Sequence, residues 1–143
     1  MKDILESILL EDLNDIGIFR LTLNDIGNKN ALSESMMHKL IEAISKASKD
    51  NSVKLIVIAS TGNVFCSGHN LKEINEAQKA DDKGESYYLD LFKICSELMQ
   101  SIINCPKPVI AEVNGIATAA GCQLVASCDL AIASDSSKFA TPG

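Results

Sequence analysis

The chain has 143 residues, 46% of them hydrophobic, which gives room for one domain with a real apolar core. A formal net charge of -6 with no long Lys/Arg run argues against a nucleic-acid partner, so an anionic ligand has to be held by local groups. Five cysteines (Cys66, Cys95, Cys105, Cys122 and Cys128) fall in apolar stretches without a C-x-x-C pair, which favours buried reduced thiols over a disulfide framework or a metal site.

The N-terminal Met1–Glu6 interleaves acids with apolar residues, unlike a signal or transit peptide. No apolar run reaches the length of a membrane span. The expected location is cytoplasmic, or the mitochondrial matrix where a presequence has been removed, without membrane insertion. Ile8–Leu10 and Ile18–Leu23 flank the turn Asn14-Asp15-Ile16-Gly17 and read as a hairpin with one wet face. Ser33 can cap a helix in which Met37, Leu40, Ile41, Ile44 and Ala47 follow the helical period, with His38 on its charged face.

Val53–Ala59 is a Val/Ile-rich run bounded by turn residues, the pattern of a strand buried on both faces, and it leads into a loop, Phe65–Asn70. Glu76–Glu85 is polar and reads as a mobile surface segment. Tyr88, Leu91, Phe92, Cys95, Leu98, Met99 and Ile102 recur at helical spacing up to the break at Cys105-Pro106-Lys107-Pro108. Val109–Val113 is the next strand. Asn114-Gly115 then turns the chain into the small-residue run Ile116–Gly121, which opens a short helix through Gln123 and Leu124. Leu130–Ala133 reads as a strand and Phe139–Thr141 as a last extended piece. Strand and helix alternate from Val53 onward, predicting parallel strands and an α/β architecture in a single domain, 1–143. The final strand has no covering element in the sequence, which leads to the expectation that more chain or a partner subunit completes the core.

Two stretches share one design: a buried strand, a glycine-containing turn and a helix start, at Val53–Asn70 and at Val109–Gln123. Glycine allows close approach of the backbone, and a helix start leaves N–H groups unpaired. If the turns face one cleft, the N–H groups of His69 and Ala120 converge on a single oxygen. Strand-Gly-helix connections are also ordinary architecture in any α/β protein. The G-x-G-x-x-G, G-x-x-x-x-G-K-[ST] and G-x-S-x-G patterns are all absent.

The segment Val64-Phe65-Cys66-Ser67-Gly68-His69-Asn70-Leu71-Lys72-Glu73 resembles the crotonase (enoyl-CoA hydratase/isomerase) motif F-[SAC]-[SA]-G-x-D-[LI]-K-E. Lys107 through Asp129 is similar to that family's K-P-V-I-A-x-[VI]-x-G-x-[AC]-x-G-G-G-x-[ED]-[LI]-x-x-x-[CS]-D, and Asn30-Ala31-Leu32 to its N-A-[LF]. The resemblance implies a crotonase-like ββα spiral fold, incomplete at the C-terminus. It also implies an acyl-CoA or enoyl-CoA thioester as ligand, coenzyme A as part of the substrate with no other cofactor, and a homotrimer or hexamer.

By the same resemblance the oxyanion donors are the N–H groups of His69 and Ala120. Ala31, Ser67, Gly68, Asn70, Leu71, Lys72 and Gly121 then lie along the substrate site. Lys29 is placed near the CoA phosphates, or is an ordinary exposed turn lysine. The two glutamates of family hydratases are replaced, by Gln123 and by Gly143, and neither replacement can exchange a proton near neutrality. The His69 imidazole either titrates facing the pocket or fills space. Asn70 keeps a capping oxygen where the family has Asp, and Asp129 caps or pairs. These features imply a family-type lyase or isomerase that stabilises a thioester enolate, or a non-catalytic acyl-CoA binder that has lost hydratase activity. A scaffold without ligand is the third reading.

Overall fold

The computed structural model describes residues 7–142; Met1–Glu6, read above for targeting, and Gly143, read above as a degenerate glutamate position, lie outside the described residues. Strands β1 (Leu9–Leu13) and β2 (Ile18–Leu23) form the expected hairpin, paired antiparallel from Leu9↔Leu23 to Leu13↔Phe19. Asn14 closes the turn, its Oδ1 accepting from the N–H of Ile18 at 2.8 Å.

After a 3-10 turn at Ile26–Asn28 comes helix α1 (Glu34–Lys49). Ser33 caps it, its Oγ accepting from the Met36 N–H at 3.1 Å, and Met36, Met37, Leu40, Ala43, Ile44 and Ala47 form its buried stripe. Strand β3 (Leu55–Ser60) is buried on both faces, since Ile56 and Ile58 and also Val57 and Ala59 are covered. It pairs parallel with β2 and with β5 (Val109–Val113). The Val109 N–H that starts β5 is taken by Asp129 Oδ2 at 2.8 Å, so Asp129 pairs with the backbone. With β7 (Leu130–Ala133) the main sheet runs β1-β2-β3-β5-β7, all parallel except the first pair.

Three short segments form a second sheet; the sequence reading expected one of them, the extended piece at Phe139–Thr141, and missed the other two. Phe65-Cys66, expected in a loop, belongs to strand β4 (Val64–Cys66). Ile116–Thr118, expected to open a helix, is strand β6. β4, β6 and β8 (Lys138–Ala140) pair parallel in that order. Strands of three residues carry no readable period, and their ladder partners lie far away in sequence, so only the tertiary fold defines them.

Helix α2 (Leu71–Ala77) follows β4, and a run of turns leads to helix α3 (Glu85–Ile103). The polar segment is exposed for the most part, and Asp82 caps α3 by accepting from the N–H groups of Gly84 and Ser86, each at 3.0 Å. α3 buries Leu91, Cys95, Leu98, Met99 and Ile102 and lies against α1 and against helix α4 (Ala120–Ser127). Phe92, counted above with that stripe, is instead 62% exposed. Of the cysteines only Cys66 and Cys95 are buried; Cys105, Cys122 and Cys128 are half-buried because they sit at helix and turn margins. All four residues of β7 are exposed, in contrast to β3.

Candidate functional site

The second sheet brings the two glycine bends together. β4 and β6 lie side by side, with Val64 opposite Ile116 and Cys66 opposite Ala117, so the residues that leave them, Ser67–Asn70 and Ala119–Gly121, also lie side by side. Their separation leaves no room for side chains. A Cβ on Gly68, whose φ is +93°, would stand 3.0 Å from the Ala119 Cβ and 3.3 Å from the Ala120 nitrogen. A Cβ on the buried Gly121 would stand 2.2 Å from the Cys66 carbonyl oxygen. Glycine at both positions is therefore a packing requirement as well as a turn preference.

Between them Ala119 adopts φ 53°, ψ −124°, a conformation that costs a non-glycine residue about 1–3 kcal/mol and persists where the surroundings impose it. Among the described residues, neither the His69 nor the Ala120 N–H donates to a backbone carbonyl. Ala120 is the first residue of α4, where an unpaired N–H and the positive end of the helix coincide.

A cleft of about 300 Å³ opens beside these bends, lined by Gly27, Asn28, Lys29, Ala31, Ser67, His69, Asn70, Leu71 and Lys72. Every substrate-site residue expected from the sequence between Lys29 and Lys72 lines it except the buried Gly68. Ala120 and Gly121 are buried and Gln123 is exposed on α4; none of the three lines the cleft, so of the two expected donors only His69 does. The two walls are tied together by the backbone, the Leu32 N–H donating to the Gly68 carbonyl at 2.7 Å and the Ser67 N–H to the Lys29 carbonyl at 3.2 Å. Asn70 caps α2, its Oδ1 accepting from the Lys72 N–H at 3.0 Å, and Lys72 Nζ donates across the cleft to Asn28 Oδ1 at 3.0 Å. Lys29 stands at a left-handed position, φ 55°, with its side chain exposed. Two ammonium groups thus flank the cleft, and among the described residues no carboxylate lines it.

The His69 imidazole is half-buried on the cleft wall, next to the Leu32 backbone, and packs edge-on against Phe92 with ring centroids 6.0 Å apart. Burial holds its pKa below the ordinary value, opposed in part by the Leu32 carbonyl, so the ring is neutral near pH 7. His38 is exposed on α1, as expected.

Four contributors escaped the sequence reading. Gly27 and Asn28 line the cleft from a 3-10 turn too short to be read. Phe92 reaches the site from the margin of an apolar stripe. Asn30 carries the fourth role: it is 1% exposed, and its amide donates to the carbonyls of Thr61 and Val64 at 2.9 and 2.8 Å while its Oδ1 accepts from the Asp25 N–H at 2.7 Å. It thereby staples the cleft wall to the turn between β3 and β4. The N-A-[LF] likeness was the one signal that marked it. Among the described residues no three His, Cys, Asp or Glu side chains are grouped so as to hold a metal ion, and no helix is long and apolar enough to cross a membrane.

A family model described as enoyl-CoA hydratase/isomerase matches residues 14–143. Enoyl-CoA hydratase domain-containing protein 3, mitochondrial, from Xenopus laevis is 50% identical over 127 residues, which are 89% of this chain and 42% of that protein. The crystal structure of human enoyl coenzyme A hydratase domain-containing protein 3 matches with a TM-score of 0.86 at 44% identity, over 96% of this chain and 52% of the other. An enoyl-CoA hydratase from Mycobacterium smegmatis matches with a TM-score of 0.86 at 46% identity, over 94% and 50%. The chain spans roughly half the length of these relatives or less.

Proposed function

The chain belongs to the enoyl-CoA hydratase/isomerase family, and from that premise we propose that its cleft binds an acyl-CoA or enoyl-CoA thioester and polarises the thioester carbonyl with the N–H groups of His69 and Ala120. The observation that supports this reading is the contact between the two glycine bends, which brings the stretch carrying the His69 amide against the stretch carrying the Ala120 amide, neither amide having a backbone partner among the described residues. A carbonyl oxygen accepting from both gains little as a ketone-like acceptor and much as an enolate oxyanion, so the pair acts where charge develops. Lys29 and Lys72 offer cations to the phosphates of coenzyme A, and the exposed apolar side chains of Leu71 and Phe92 offer surface to an acyl chain.

Gln123 supports a second reading, in which the thioester is bound without being hydrated. Its amide stands at the position of a family glutamate and can neither take nor give a proton. Titration calorimetry with butanoyl-CoA, paired with a crotonyl-CoA hydration assay, separates the two readings. Binding with turnover supports the enzyme, binding without turnover the binder, and absence of binding removes both. A mitochondrial location follows the name of the Xenopus relative, and a trimeric or hexameric assembly follows the family likeness; imaging of the tagged full-length protein and light scattering test them.

A further inference from the structure

The cleft holds one side chain whose chemistry is not used by main-chain polarisation. Of its nine lining residues, Gly27, Asn28, Ala31, Ser67, Asn70 and Leu71 have no group that titrates near neutrality, and besides His69 the other two are lysines. Only His69 can both accept and release a proton at pH 7. Its Nδ1 is shut off from water and has no hydrogen-bond partner among the described residues, while the residue as a whole is partly exposed on the cleft wall, which leaves Nε2 as the nitrogen to meet a ligand. Phe92 packs against the ring at 82° to its plane, which limits how the ring turns. The same residue offers its main-chain N–H to the proposed oxyanion. On that reading the amide that meets the thioester oxygen and the ring belong to one residue, so a thioester bound there would lie near both.

We infer that His69 is the proton carrier of this site, removing a proton from the carbon next to the thioester carbonyl and returning one to it. The inference rests on the thioester-binding reading above. In the forward step the C–H bond breaks and its electron pair becomes the carbon–carbon double bond of the enolate. The carbonyl π pair moves onto the oxygen held by the His69 and Ala120 amides, and Nε2 gains the proton. The return step delivers a proton from the imidazolium to carbon. Atoms and electrons balance without any other reactant, and in D2O the imidazolium exchanges, so the returned nucleus is a deuteron.

The groups facing the ring agree with a neutral base. Lys29 and Lys72 share the cleft, one from the turn before α1 and the other from α2; α3 presents Phe92; the neighbouring backbone presents the Leu32 carbonyl. Among the described residues no carboxylate lines the cleft to hold the ring protonated.

The test is deuterium incorporation from D2O at the carbon next to the carbonyl of butanoyl-CoA, read by mass spectrometry, with binding followed in parallel by calorimetry. His69→Gln keeps the main-chain N–H and a polar side chain that cannot accept a proton. It should bind butanoyl-CoA yet exchange its protons about 100-fold more slowly than the wild type, the lower range for loss of a general base. In the wild type the exchange rate should rise with pH and level off with a midpoint below about 6.5, the ordinary histidine value. Binding without exchange above a protein-free blank overturns the inference, as does exchange by His69→Gln within threefold of wild type. A wild-type midpoint in the lysine range overturns it even if the variant does not fold. Failure of the wild type to bind butanoyl-CoA is a distinct result: it removes the thioester reading and this inference with it.

Discussion

Replacing Asn30 with alanine tests whether the cleft is built by one buried amide. Three hydrogen bonds disappear together: from Asn30 Nδ2 to the Thr61 and Val64 carbonyls and from the Asp25 N–H to Asn30 Oδ1, all between 2.7 and 2.9 Å. The three partners stay in a region where the side chain is 1% exposed, so water does not replace the amide without opening the structure. At about 1 kcal/mol for each buried group left unpaired, the loss is about 3 kcal/mol. Asn30 also sits at φ 51°, and alanine in the left-handed region adds about 1 kcal/mol or more. A total near 4 kcal/mol is a large share of a typical domain stability of about 5–15 kcal/mol. For a chain of this size it corresponds to a fall in Tm on the order of 8–16 °C. Urea unfolding followed by far-UV circular dichroism measures it, with Asn30→Asp as the companion variant. The aspartate keeps the acceptor for Asp25 but points a carboxylate at two carbonyls, so it should be destabilised as well. A loss below about 1 kcal/mol for Asn30→Ala, within the range of an ordinary surface change, would refute the stapling argument.

Three further outcomes follow from the same geometry. Ser33→Ala removes the cap of α1 and should cost about 1 kcal/mol, read as a lower urea midpoint at unchanged slope. Gly121→Ala puts a methyl group 2.2 Å from the Cys66 oxygen, so α4 and β4 must part; stability should fall by about 3 kcal/mol, and calorimetry should show butanoyl-CoA affinity weakened at least tenfold. The pair between Arg20 and Glu112, two bonds of 2.9 Å across the main sheet, holds the Glu112 carboxyl below its ordinary pKa. The unfolded chain binds more protons there, so the pair's contribution is present above about pH 4.3 and is lost as pH falls through the folded Glu112 value. Both side chains are more than a third exposed, which limits the effect to less than about 1 kcal/mol, and Glu112→Gln should flatten that limb of the stability–pH curve at low salt only.

What the sequence revealed divides along physical lines. α1 was readable because a cap and an apolar period speak locally: Ser33 and the run from Met37 to Ala47 need no distant partner. β3 was readable because burial on both faces leaves an unbroken Val/Ile run. β4 and β6 were not, since three residues make strands only through each other, about fifty positions apart. The side of α3 that faces the cleft was not readable either: Phe92 stands one position round from Leu91 and Cys95, and whether such a margin packs inward depends on what lies opposite. At the site the two glycine bends were visible as turns, and their contact was only an expectation until Gly68 and Gly121 were placed against Ala119 and Cys66. Asn30 was legible as a motif letter, while its work depends on Thr61 and Val64, thirty residues on.

On the proposed reading, a main-chain oxyanion site separates two demands that a side-chain site would couple. The proposed donors are main-chain groups, and what fixes the two bends that carry them is the absence of Cβ atoms at Gly68 and Gly121 together with the ladder between β4 and β6. Substitution of a solvent-facing side chain on α4, such as the one at Gln123, leaves that packing untouched. Polarisation of a carbonyl and transfer of a proton can then change independently, the first held by sterics and the second by whichever titratable group the cleft wall carries. On the proposed reading His69 joins both demands in one residue, its amide on the oxygen and its ring beside the neighbouring carbon. That arrangement predicts an asymmetry between variants. Changes to the ring should remove proton exchange and spare binding, whereas Gly121→Ala, which displaces the amides, should weaken both together. Equal responses of exchange and binding to the two kinds of change would mean that the ring and the amides are not separate devices.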